Sequence, residues 1–178
     1  MKMEFKQIKK RITCLVTKLP KETDRSWLVS IYLSLKKAHG LNYQYDAITR
    51  LTKSDQDKIL LKVNSLESRR SSKDEDDKNW VAGYFFNNAM FRMVALTEIG
   101  LKVLFEKRMK MQAPNDYWWL SNWYESAFKM KLNNIQNARR RVNKLKHKPR
   151  IGTRNKRFET MSQGIEAFKE LLALLEQI

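Results

Sequence analysis

Glycine and proline are scarce in this chain, five and three among 178 residues. A protein of many strands and tight turns needs more of both. The scarcity argues against an all-β architecture and points to long helices. Cysteine is nearly absent. Cys14 stands alone, so no intrachain disulfide can form, and a reducing cytoplasmic setting is the natural expectation. No reactive pattern surrounds Cys14, which reads as a small, half-buried apolar residue. One cysteine and two histidines, His39 and His147, cannot furnish the roughly four ligands of an ordinary zinc site. Long apolar runs are missing too. None approaches the ~18 residues of a membrane-spanning helix, and the short run near Cys14 is no signal-peptide core. There is no glycine-rich phosphate loop, no HExxH and no GxSxG. Asp55/Asp57 and Asp74/Asp76 fall in polar stretches and read as caps or solvated charge. The expectation is therefore no metal and no cofactor.

What is present is positive charge, and it is uneven. Between Ser126 and Phe158 there is no acid. Lys129, Lys131, Arg139, Arg140, Arg141, Lys144, Lys146, Lys148, Arg150, Arg154, Lys156 and Arg157 give that stretch +12 of the formal +17. Such an imbalance attracts polyanions, nucleic acid first and an acidic membrane surface second. The membrane reading is weaker, because the basic run lacks the broad apolar face of an interfacial helix.

The patterning predicts an all-α helical bundle. Its core is of four-helix type in the C-terminal part (78–178), with extra N-terminal helices over 1–77. Phe5, Ile8, Ile12 and Val16 share one face of a basic segment that is either a short helix packed on the body or an arm. Trp27, Leu28, Ile31, Tyr32 and Leu35 mark a helix over 26–38, with Ser26 as N-cap, Gly40 as its stop and His39 just inside the end. A further helix opens at Ser54. Glu67–Asp77 is a polar loop, its acids preceding the next helix. Residues 78–110 form a central helix apolar nearly all round, which calls for neighbours on every side. Glu98 on that helix is either an intrahelical partner of Lys102 or a brace for an arginine on the following helix.

Pro114 and Asn115 open a second long helix, to about Lys146, whose first half carries Tyr117, Trp118, Trp119, Trp123, Tyr124 and Phe128. At helical spacing these aromatics read as core or as a dimer face before they read as a base-stacking platform. Residues 155–178 form the last helix. Its Phe158, Met161, Ile165, Phe168, Leu172 and Leu175 make one stripe, and Gly164 marks a close crossing.

The basic stretch straddles the end of the second long helix. Arg140 and Lys144 are i, i+4 neighbours, as are Arg139 and Asn143. Arg141 and His147 differ by about 600° of rotation, which puts them on different faces of a continuous helix. They converge if the helix ends near Lys144–Lys146. Pro149 favours such an end, because it disfavours helix at Lys148. A histidine can remove the proton of an RNA 2′-hydroxyl or protonate the leaving oxygen. A guanidinium can grip the phosphoryl oxygens as charge develops. His147 alone cannot be both acid and base, so such a site calls for a two-fold dimer.

Arg141-Val-Asn-Lys-Leu-Lys-His147, lying between a long helix and the last one, resembles the Arg-x4-6-His motif of the HEPN family. The resemblance covers roughly the last hundred residues. The polar residue that often follows the family's arginine is here Val142, with Asn143 one place on, and Arg140 also fits the spacing. The choice of arginine stays open. The resemblance implies a dimeric, metal-independent ribonuclease of a toxin–antitoxin or anti-phage system. His147 would be its acid/base, Arg141 or Arg140 the phosphate clamp, and Asn143 and Lys144 accessory donors. Arg139, Lys146, Lys148, Arg150, Arg154, Lys156 and Arg157 would hold flanking phosphates, and an antitoxin would be a partner. The other reading needs only the charge: a non-catalytic nucleic-acid-binding helical protein or ribonucleoprotein subunit.

Overall fold

The structure, a computed structural model, describes residues 2–19, 21–41, 75–147 and 161–178. Their elements are α1 (Lys2–Val16), α2 (Glu22–Gly40), α3 (Glu75–Met109), α4 (Tyr117–Phe128), α5 (Asn133–His147) and α6 (Met161–Leu175), with no strand among the described residues. The protein is an all-α helical bundle. The helix expected at Ser54 lies outside the described residues.

Helix α3 is the axis. At 35 residues it is about 50 Å long, and α2, α4, α5 and α6 all pack on it. That enclosure explains its apolar character on several faces: Phe86, Met90, Met93, Leu96, Leu101, Leu104 and Phe105 are all buried. Phe91 is more than a third exposed. The helix begins at Glu75, so Glu75, Asp76 and Asp77 form its first turn rather than precede it.

The N-terminal helices belong to the same core. Phe5, Ile8, Ile12, Leu28, Ile31 and Leu35 join one buried cluster with residues of α3 to α6. Helix α1 is packed rather than an arm. The Arg11 guanidinium pairs with both oxygens of Glu176, at 2.7 and 3.0 Å. Lys169 bridges Glu4 at 3.2 Å and Glu166 at 2.7 Å.

Four boundaries differ from expectation. Helix α2 starts at Glu22, four positions before Ser26, which is exposed inside the helix and caps nothing. Acids Glu22 and Asp24 in the first turn stabilise that start through the dipole. Gly40 stays helical, and Leu41 closes the helix with φ −91°. The long helix expected over 115–146 is two helices, α4 and α5. Lys129 ends α4 in the left-handed region, with φ 56°, a conformation usually left to glycine or asparagine. Asp116, rather than Pro114 or Asn115, caps α4, accepting from the backbone N–H groups of Trp118 and Trp119 at 2.8 and 3.1 Å.

Helix α5 has no local cap. Its start is held from α6: Glu170 accepts from Asn134 N and Ile135 N at 3.0 Å and from Asn134 Nδ2 at 2.8 Å. Gly164 of α6 crosses α3 so closely that a Cβ there would lie 2.5 Å from Phe86 Cε2. Phe158 lies outside the described residues.

Candidate nucleic-acid interface

Helix α5 divides its residues between core and solvent. Ile135, Ala138 and Val142 are buried, while Arg140 and Asn143 are exposed. The three consecutive arginines therefore have three different environments.

Arg141 points inward and is only 6% exposed. Its Nε donates to Asn87 Oδ1 of α3 at 3.0 Å, and its guanidinium lies 5.2 Å from the centre of the Phe86 ring. Arg139 is half-buried. Its guanidinium sits 3.9 Å over the ring of Tyr117 and pairs with Glu98 of α3. So Glu98 reaches an arginine, whereas Lys102 donates to Asn115 Oδ1 at 2.7 Å. Arg140 is exposed and donates to Asn137 Oδ1, one turn back, at 3.2 Å.

Helix α5 runs unbroken through His147, so the early end that would bring Arg141 and His147 together does not occur. Over six positions the two backbone sites stay about 120° apart around the axis. Arg140 and His147, seven positions apart, lie within about 20° on one face. Asn137 and Lys144 fall on the same stripe. Lys144, Lys146 and His147 are placed by the backbone alone. Lys148, Arg150, Arg154, Lys156 and Arg157 lie outside the described residues.

The aromatic half of α4 adds to this surface. Trp123 is half-buried against Phe105 and Phe128. Trp118 and Trp119, expected in a core or dimer face, are 45% and 49% exposed. Trp118 meets Tyr117 edge-on at 5.6 Å, and Tyr117 in turn lies under Arg139. An exposed indole thus sits beside the base of the α5 stripe. Trp119 packs edge-on against Phe105 at 5.4 Å. Lys129 and Lys131, between α4 and α5, are exposed. Acids border it too: besides Glu98 on Arg139, the carboxylates of Asp116, Glu106 and Glu125 each accept a backbone hydrogen bond, Glu106 from Ala113 and Glu125 from Leu132, both at 3.2 Å.

Burial sets the titration of the groups behind this face. It pushes the Tyr117 hydroxyl up to about 12, overriding the charge of Arg139. Burial also raises Glu170 above its ordinary value, against the donors of Ile135 and Asn134. Asn87, with Asn88, Arg92 and Glu98, stands out in the sequence as a polar residue on an apolar helix that needs a partner, though not as part of this region. Glu170 carries no such signal.

Compared with known protein families, curated proteins and solved structures, the chain matches none of them. The site therefore rests on its own geometry. Among the described residues no group of His, Cys, Asp and Glu is placed to hold a metal ion. No helix among them is long and apolar enough to cross a membrane.

Proposed function

We propose that this protein binds single-stranded RNA on the outer face of α5, in the cytoplasm. The observation that carries the reading is the division of the arginines. Arg139 and Arg141 are tied to α3, while Arg140 stands in solvent on the stripe shared with Asn137, Lys144 and His147. Exposed cations draw the phosphates and release counterions. The exposed indoles of Trp118 and Trp119 offer faces on which bases stack without regard to sequence. Fluorescence anisotropy with a labelled single-stranded RNA across a salt series tests it. Affinity falls steeply with salt, and Arg140→Ala flattens that dependence by about one counterion. A salt-independent interaction, or none at low salt, overturns the reading and favours an acidic protein partner, such as an antitoxin.

A second reading is favoured by one observation: Arg140 and His147 share a face. In a HEPN-like ribonuclease with this register, Arg140 rather than Arg141 is the clamp and His147 the acid/base. The second acid/base would come from a two-fold partner. Such an enzyme cleaves RNA in EDTA and leaves 2′,3′-cyclic phosphate ends.

A further inference from the structure

A separate cleft of about 650 Å³ opens between α2 and α3, away from the α5 stripe. Among the described residues its charged lining is of one sign: Lys36 and Lys37 from α2, and Arg92 from α3. Beside the cations are an apolar pair, Phe85 and Leu33, and the hydroxyl of Ser30. Leu33 is 55% exposed, although it belongs to a helix that buries Leu28, Ile31 and Leu35. At the floor, Asn88 Nδ2 donates to Ser34 Oγ at 3.3 Å, joining the two helices. This fixes the separation of the walls.

Cationic side chains beside an apolar surface suit a phosphoryl group joined to a flat, largely apolar body. A guanidinium can hold two phosphoryl oxygens in a fork, and the ammonium groups add point charges. Phe85 and Leu33 can lie against a base. The volume lies within the range of small-ligand sites, and the cleft is open to solvent on one side. We infer that the α2–α3 cleft binds one nucleotide unit, its phosphate on Arg92 and Lys36 and its base against Phe85 and Leu33. The unit comes either from a free nucleotide or from one residue of a bound strand. This site stands apart from the α5 reading, because it uses other helices and other cations.

Gly40 provides a clean test. It lines the cleft, and a Cβ added there meets nothing within 4 Å. Gly40→Glu therefore sets a negative charge at the rim without a clash, and urea unfolding of the variant confirms that it folds. Calorimetric titration of the full chain with adenosine 5′-monophosphate and with adenosine reads the result. The monophosphate binds about tenfold or more tightly than the nucleoside, and Arg92→Gln or Lys36→Gln each weakens it by about tenfold. Gly40→Glu abolishes the difference between the two ligands. Equal binding of both ligands to the wild type, or unchanged monophosphate binding by Gly40→Glu, overturns the site. If Gly40→Glu also weakens binding of a single-stranded RNA, the unit belongs to the strand. If only the monophosphate is lost, the ligand is a free nucleotide. A protein that retains no RNA yet binds the monophosphate sinks the α5 reading and keeps this one.

Discussion

The Nε of Arg141 donates to Asn87 Oδ1 at 3.0 Å from inside the core, while Arg140 beside it stands in solvent. The hydrogen bond ties α5 to α3, and the Phe86 ring under the guanidinium completes the seat. Neighbouring arginines of the same type therefore divide into a structural one and an exposed surface charge. Their substitutions have opposite consequences. Arg141→Met removes a charged hydrogen bond from a buried setting and costs about 2 kcal/mol in urea unfolding, with RNA affinity unchanged in folded protein. Arg140→Ala leaves stability within about 0.5 kcal/mol and lowers RNA affinity. The opposite pattern would make Arg141 the phosphate contact.

Acid lowers one stabilising contribution and raises another. The Glu4 pKa is lowered, first by its hydrogen bond from Lys169. Its stabilisation is present above the ordinary value of 4.5 and is lost as pH falls through the folded-state pKa. Glu170 has the opposite sign. Burial raises it above 4.5, so between 4.5 and its folded-state pKa the folded protein holds a proton that the unfolded chain has lost. Its contribution to stability grows as pH falls through that window. Denaturant unfolding of wild type and Glu170→Gln at pH 7 and at about pH 5 separates the two. Wild type gains on the variant on acidification, whereas a constant gap would deny the shift. At pH 7, Glu170→Ala costs about 1–2 kcal/mol, as loss of a helix cap does.

Alkali acts through two phenols. Burial pushes Tyr117 and Tyr124 up from 10.0 to about 12. Between those values the unfolded chain releases protons that the folded protein keeps, so stability falls as pH rises from 10 to 12. Tyr117→Phe makes that decline shallower. An unchanged slope by chemical unfolding at pH 10 and 11 would place the hydroxyl in solvent.

The crossing at Gly164 leaves no room. Alanine there would favour the helix by about 1 kcal/mol, but its Cβ would meet Phe86 at 2.5 and 2.9 Å. The Phe86 ring is fully buried and also lies under Arg141, so it cannot swing away. Overpacking of about 1–3 kcal/mol offsets or exceeds the propensity gain, and Gly164→Ala lowers the melting temperature. In a Phe86→Leu background the same change is better tolerated, a coupling that a double-mutant cycle reads directly.

Cleavage is decided by one residue. If the protein is a nuclease, His147→Ala abolishes cleavage of single-stranded RNA in EDTA and leaves binding largely intact. Equal cutting by His147→Ala assigns the activity elsewhere, and an intact wild-type substrate leaves the protein a binder alone.

The bundle was legible because its signals are local and periodic. Leu28, Ile31 and Leu35, or Ile165, Phe168 and Leu172, recur at helical spacing, and all six are buried. The close approach at Gly164 was legible too, since a glycine inside an amphipathic helix needs a reason. The break between α4 and α5 was not. No proline or glycine stands there; Lys129 adopts the left-handed turn, while Glu125 accepts from Leu132 N at 3.2 Å. The fates of Arg139, Arg140 and Arg141 were hidden for a related reason. Three identical residues in a row look alike in sequence, and only the rotation of α5 against Asn87 and Glu98 tells them apart. Helix α4 turns Tyr117, Leu120 and Tyr124 to the core and leaves Trp118 and Trp119 on its outer side.

Glu170 holds the first turn of α5 from a helix that comes later in the chain. During synthesis α5 therefore leaves the ribosome before the carboxylate that secures its start. A nascent chain that stops short of residue 170 carries the basic stripe on a helix with a loose beginning. The surface that would gather polyanions is completed only when the last helix docks. The order of synthesis thus delays assembly of the most positively charged part of the molecule until the rest of the bundle is in place.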